Sequence, residues 1–150
     1  MRLALYQPDQ PGNVGSILRL CACLGVGVDI VEPCGFPFSD RSLKRAGMDY
    51  LELAELRRHK SFPDFQSAAP GRIILMTTRA SVRIDEARFL ATDTLLMGAE
   101  SSGVPEAVHD AAAVRVRIPQ VRGTRSLNIA VSAGIGLAEA LRQTNGYPND

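Results

Sequence analysis

The sequence predicts an α/β domain built on a mainly parallel sheet. Three observations carry this. Short apolar runs alternate with helix-like segments along the chain, the rhythm of strand and crossover helix. The runs 73–76 and 94–97 lack the polar alternation of a half-exposed strand and read as buried on both faces. At 150 residues the chain has the size of one domain, with room for a proper core.

Residues 2–6 open as a strand, and 7–12 form a Pro/Gly turn. Residues 13–24 read as a helix with Asn13 as its cap, and 28–31 as the next strand. Glu32-Pro33-Cys34-Gly35 breaks that strand. Ser39 or Asp40 can cap a short helix through Arg45, which Gly47 can terminate, and 50–53 reads as a brief strand. A helical stretch at 63–68 precedes the strand 72–77, and 94–97 is the next strand. Pro105 fits the first turn of a helix running to 112, 114–118 is a strand, and 119–125 is a loop. The last helix, 126–143, carries apolar residues around almost its whole circumference. Such a helix is expected to be buried on all sides, either at the centre of one domain or with its second face on another subunit across a two-fold axis.

Apolar residues make up 45% and charged residues 22%, which excludes disordered, collagen-like and coiled-coil chains. With a formal net charge of +1, any nucleic-acid binding must come from local cationic clusters rather than a whole-molecule field. Three clusters exist: Arg41, Lys44 and Arg45; Arg57, Arg58, His59 and Lys60; Arg115, Arg117, Arg122 and Arg125. Each also reads as a solvated face with acids nearby. No apolar run reaches the length of a membrane span and the start lacks a signal-peptide pattern, so a cytoplasmic protein is expected. Three cysteines without CxxC spacing and two histidines outside any HExxH pattern argue against a disulfide framework and against metal binding.

Leu24-Gly25-Val26-Gly27 follows a helix and precedes a strand, the reverse of a dinucleotide fingerprint. There is no Walker A sequence and no GxSxG elbow. What remains is three strand-end turns, each leading into a helix: 11–19, 98–105 and 118–128. Ligands of open α/β sheets bind beyond the carboxyl ends of strands, so the three turns can converge on one pocket. Taken singly, Gly98 and Gly103 read as turn glycines and Asn13 as a helix cap.

In this order and spacing, Asn13, Gly15 and Arg19 (NxGxxxR), Gly98, Glu100, Gly103 and Pro105 (GxExxGxP), and Ile118-Pro119 followed by Arg125 to Asn128 (RSLN) resemble the SPOUT superfamily of RNA methyltransferases. The match is to its short single-domain tRNA wobble-nucleotide 2′-O-methyltransferases. Tyr6-Gln7-Pro8, Ile30-Val31-Glu32-Pro33, Arg45-Ala46-Gly47-Met48-Asp49-Tyr50 and Gly146-Tyr147-Pro148 match that subgroup's landmarks as well, so the resemblance covers nearly the whole chain.

The resemblance implies a SPOUT α/β-knot with a C-terminal deep trefoil knot, a homodimer, S-adenosylmethionine as cofactor, and a tRNA anticodon stem-loop as partner. It implies a cofactor site at Met76, Gly98, Glu100, Gly103, Ile118, Ser126 and Leu127, with Gly98 letting the strand end approach the ligand and Gly103 allowing the turn. Glu100 is expected to orient its loop or pair with an arginine. Arg19 is the implied catalytic residue; a guanidinium stays protonated at neutral pH, so a positioning and electrostatic role is expected of it. Asn128 is expected to hydrogen-bond backbone across the knot. Asn13, Arg41, Lys44, Arg45 and Arg125 are the implied RNA contacts. The segment 120–124 carries an arginine and a glycine where relatives vary, which leaves substrate choice open. Two other readings stand beside the wobble assignment: methylation of another tRNA or rRNA ribose, and a non-catalytic RNA-binding module.

Overall fold

The computed structural model describes residues 1–39, 41 and 53–149. Among them seven parallel strands form one sheet: β1 (Arg2–Tyr6), β2 (Gly27–Val31), β3 (Leu56–His59), β4 (Ile73–Met76), β5 (Val82–Arg83), β6 (Thr94–Met97) and β7 (Val114–Arg117), in the order β3-β2-β1-β6-β4-β7-β5. Four helices cover it: α1 (Pro11–Leu24), α2 (Phe62–Ala68), α3 (Glu106–Ala111) and α4 (Ile129–Thr144).

Strand alternation sorts the core into two layers. Leu3 and Leu5 of β1 join Val28, Ile30, Ile74, Met76, Leu95 and Met97 beneath Ile17, Leu18 and Cys21 of α1 and Leu137, Ala140 and Leu141 of α4. Ala4, between the two leucines, faces the other way with Leu75 and Leu96, under Phe65 of α2 and Val108 of α3. Helices on both faces are what a parallel sheet requires, and they explain why β1, β4 and β6 are apolar at successive positions.

A charged cluster, buried at Arg2 and Asp29, ties the β1–β2–β3 side. Arg2 Nε donates to Asp29 Oδ2 at 2.6 Å, Arg2 Nη1 reaches Glu55 Oε1 at 2.9 Å, and His59 Nε2 meets Asp29 Oδ1 at 2.6 Å. A Cβ on Gly27 would overlap the Arg2 guanidinium, so that glycine makes room for the ion pair.

Several bounds differ from the sequence reading. α1 starts at Pro11, whose missing N–H suits the first turn, and Gln10 is the capping position; Asn13 lies inside the helix and is free for other bonds. The helix ends at Gly25, whose φ of 65° is the left-handed conformation that closes many helices. Of the strand expected at 50–53, Leu53 lies in a turn and 50–52 are outside the described residues, as are Asp40, residues 42–45 of the expected short helix and Gly47; β3, at Leu56–His59, was not anticipated. The cluster read as cationic surface is that edge strand, with Arg57 paired to Glu55 and Arg58 to Glu32. The two-residue β5 was not anticipated. Pro105 caps α3 rather than opening it. α4 begins at Ile129, three residues later than expected, because Asn128 Oδ1 accepts from the N–H groups of Ala130 and Val131 and so defines the start.

Burial of the last helix also differs. Ala133, Gly136, Leu137, Ala140 and Leu141 are buried, whereas Val131 is 51% exposed and Ile135 38%. The helix is apolar all round but covered on one side within this chain.

Candidate active site

Three neighbouring strands, β6, β4 and β7, end side by side, and the turns that leave them enclose a cavity of about 260 Å³. It lies beyond the carboxyl ends of the strands, where ligands of open parallel sheets bind. Its walls combine apolar side chains (Met76, Met97, Val116, Ile118, Ile129) with neutral polar ones (Thr77, Thr78, Gln120, Ser126, Ser132) and a single acid, Glu100. Met76, Gly98, Glu100, Gly103, Ile118, Ser126 and Leu127, marked out in the sequence, all line it. Thr77, Thr78, Gln120 and Ser132 were missed, since nothing in their types or spacing sets them apart from ordinary loop and helix residues. A smaller cavity of about 160 Å³ adjoins across the wall formed by Met76 to Thr78, Gly98 and Gly103, and Arg79 and His109 help line it.

The loop after β6 closes on itself. Ala99 and Gly103 exchange two backbone hydrogen bonds of 3.0 and 2.8 Å, and Gly103 adopts a φ of 65°, in the region that favours glycine. A Cβ on Gly98 would stand 2.8 Å from the Gly103 carbonyl carbon. The absence of a side chain at Gly98 thus serves the closure of the turn itself, beside the ligand approach expected from sequence, and Gly98 also lines the cavity.

Hydrogen bonds stitch the three turns together. Asn128 Nδ2 donates to Asn13 Oδ1 at 3.0 Å, Asn13 Nδ2 donates to Glu100 Oε1 at 3.2 Å, and the Asp9 N–H donates to Glu100 Oε2 at 3.3 Å. Asp9 Oδ2 in turn accepts from Ser101 N at 3.3 Å and from Ser101 Oγ. Glu100 therefore holds the start of α1, and among the described residues no arginine pairs with it. Burial, and then the neighbouring Asp9 carboxyl, push Glu100 above its ordinary range, while hydrogen bonds from Glu100 and Ser101 lower Asp9. Asn13 acts as the bridge between Asn128 and Glu100 in place of the capping role read from sequence, and Asn128 bonds a side chain across the gap as well as the backbone of α4.

Arg19 is exposed on α1 and does not line the cavity. Arg125 is exposed in the loop that supplies Ser126 and Leu127 to the cavity, and Arg41 is exposed; Lys44 and Arg45 lie outside the described residues. Among the described residues no three His, Cys, Asp or Glu side chains gather as a metal set, and no helix is long and apolar enough to cross a membrane.

The model of the SpoU rRNA Methylase family matches residues 1–138. A Beijerinckia indica protein named tRNA (cytidine(34)-2'-O)-methyltransferase is 56% identical over 144 residues, which cover 94% of this chain and 90% of that one. The Escherichia coli K12 protein of the same name is 37% identical over 151 residues, 99% and 96% of the two chains. A solved structure described as giving insights into the 2-OH methylation of C/U34 on tRNA superposes with a TM-score of 0.89 at 42% identity, over 95% of this chain and 94% of that one. The structure of an AdoMet-bound rRNA methyltransferase from Sinorhizobium meliloti superposes at 0.83 with 32% identity, over 94% of this chain and 55% of that one.

Proposed function

Because the chain belongs to the SpoU rRNA Methylase family, we propose that it transfers a methyl group from S-adenosylmethionine to the ribose 2′-oxygen of the wobble nucleotide, cytidine or modified uridine, in tRNA anticodons. The observation that carries this reading is the cavity at the ends of β4, β6 and β7, which brings together the seven residues expected around the cofactor from the ends of three neighbouring strands and the turns that follow them.

The cavity suits the cofactor chemically. Met76, Ile118 and Leu127 offer apolar walls for an adenine ring, and the exposed ends of three strands offer backbone groups to read its edge. Glu100, the one acid, is held by Asn13 and the Asp9 N–H and faces the cavity without an arginine to neutralise it. When bound, S-adenosylmethionine supplies a methyl group on a positively charged sulfur, open to attack by an oxygen in line with the bond that breaks.

What this chain supplies is alignment and electrostatics. Transfer to a hydroxyl needs the oxygen held in line and its proton made easier to lose. Arg19, on the helix anchored to Glu100 through Asn13, is the positioning cation for the ribose, and Arg125 and Arg41, with Lys44 and Arg45, contact tRNA phosphates. The homodimer, the cytoplasmic location and the C-terminal trefoil knot belong to the same reading.

Purified protein, labelled S-adenosylmethionine and tRNA from a methylation-deficient strain test the reading. Label maps to the wobble ribose by nuclease digestion and mass spectrometry, and Arg19→Ala lowers turnover by roughly 10²-fold or more, the scale of losing one group that stabilises developing charge. Label at another ribose moves the target, and cofactor binding without transfer points to an RNA-binding module.

A further inference from the structure

Asp9 lies in the turn between β1 and α1 and does not line the cavity. Its N–H donates to Glu100 Oε2 at 3.3 Å, and its Oδ2 accepts from Ser101 N at 3.3 Å and from Ser101 Oγ. One residue before α1 and two residues of the cavity loop thus hold each other in both directions. A capping box uses the same reciprocal logic within one helix turn; here it joins segments 91 and 92 positions apart.

Two further features mark the position. The other carboxylate oxygen, Oδ1, is shielded and meets no hydrogen-bond donor among the described residues, a cost that a residue kept for stability alone does not need. From behind, the loop after β2 presses on the turn: Gly35 N donates to Pro8 O at 2.9 Å, and a Cβ on Gly35 would stand 2.7 Å from Asp9 Cβ. Asp9 is wedged between that loop and the Glu100–Ser101 pair.

We propose that Asp9 is a positioning residue for methyl transfer: by clasping Glu100 and Ser101 it fixes the wall of the cofactor cavity to the start of α1, the helix that carries Arg19. The proposal rests on the cofactor reading above. The ionisation of the pair agrees with it, since Glu100 is pushed up and Asp9 down, which leaves Asp9 as the charged acceptor that both Ser101 donors face. Because Asp9 stands outside the cavity, its influence on the reaction runs through the geometry of the loop.

The test is calorimetric titration of S-adenosylmethionine into the full chain, with tRNA methylation kinetics and thermal melting alongside, for Asp9→Ala, Asp9→Asn and Ser101→Ala. Asp9→Ala is expected to raise the cofactor Kd about tenfold, the scale of losing hydrogen bonds to a charged acceptor. Asp9→Asn keeps the backbone donor and an oxygen facing Ser101, and returns the Kd to within about threefold of wild type; Ser101→Ala, at an exposed site outside the core, costs about threefold. A wild-type Kd in folded Asp9→Ala overturns the proposal, as do equal losses for the Asn and Ala variants that track their melting temperatures. If Asp9→Ala does not fold, Ser101→Ala decides, and wild-type affinity there overturns it. A wild-type chain that binds S-adenosylmethionine yet labels no tRNA sinks the substrate reading alone, because the binding comparison among variants still stands.

Discussion

Asn128 does two jobs with one amide. Its Oδ1 caps α4 through Ala130 and Val131, and its Nδ2 reaches Asn13, 115 positions away in sequence. The two jobs separate by substitution. Asn128→Asp keeps the cap acceptor but loses the donor to Asn13, whereas Asn128→Ala loses both, and the Ala variant is expected to be about 1 kcal/mol less stable than the Asp variant in urea denaturation. Cofactor affinity falls in both, because each cuts the bond from Asn128 to Asn13 and leaves Asn13 held to Glu100 alone. Gly98 makes a second residue-scale prediction. Its neighbour at 2.8 Å is backbone of Gly103, which cannot rotate away, so Gly98→Ala opens the 99–103 turn and weakens cofactor binding roughly tenfold or more while the sheet still forms. Equal cofactor titration curves for Gly98→Ala and wild type would show that the turn tolerates opening and does not shape the cavity.

At the scale of elements, α4 is strapped to the segment before β6 by one side chain. Gln143 Oε1 accepts from Phe89 N at 3.1 Å and its Nε2 donates to Ala87 O at 3.0 Å, with Phe89 and Ala87 both buried. Gln143→Ala leaves a donor and an acceptor unpaired beneath the helix and is expected to cost about 2 kcal/mol in urea denaturation. In the same turn Glu139 accepts from Arg142 and Gln143, which lower its carboxyl to about 2 from an ordinary 4.5. A depressed acid contributes stability that is present above 4.5 and lost as pH falls towards 2, so the melting temperatures of wild type and Glu139→Gln converge over that window. The gap at neutral pH is small, about 0.5 kcal/mol, since Arg142 is largely exposed. Elements of this kind were unevenly legible in the sequence. β1, β4 and β6 announced themselves because burial on both faces demands unbroken apolar runs. β3 did not, because an edge strand whose two middle residues, Arg57 and Arg58, are both exposed looks like cationic surface. The cavity residues Gly98, Glu100, Ser126 and Leu127 were legible only as a spaced set, and Asp9 stayed hidden because its partners are 91 and 92 positions away and a Pro-rich turn accounts for an aspartate without them.

For the whole molecule, charge and exposed apolar surface make one demand together. A net charge of +1 gives a single chain little pull on a polyanion, and the basic side chains proposed for tRNA are few. Val131 and Ile135, four residues apart on α4 and 51% and 38% exposed, form an apolar stripe that Leu127, 39% exposed in the loop just before the helix and lining the cavity, extends. Covering such a stripe gains about 1.5–3 kcal/mol for each side chain fully buried, and a second copy of the same helix across a two-fold axis can cover it. Pairing would also double the cations available to one RNA. Val131→Glu sets an acid on the stripe while leaving Ala133, Leu137 and Leu141 in the core, so the chain should fold and sediment at half the mass of wild type. Its tRNA binding should also respond less steeply to salt, because the slope of log K against log salt counts the phosphates neutralised, each contributing about 0.7 to 0.9. Halving the cations halves that slope. A wild-type chain that sediments as a monomer, or a Val131→Glu chain with an undiminished slope, means that one copy carries all the phosphate contacts and that the stripe serves something other than pairing.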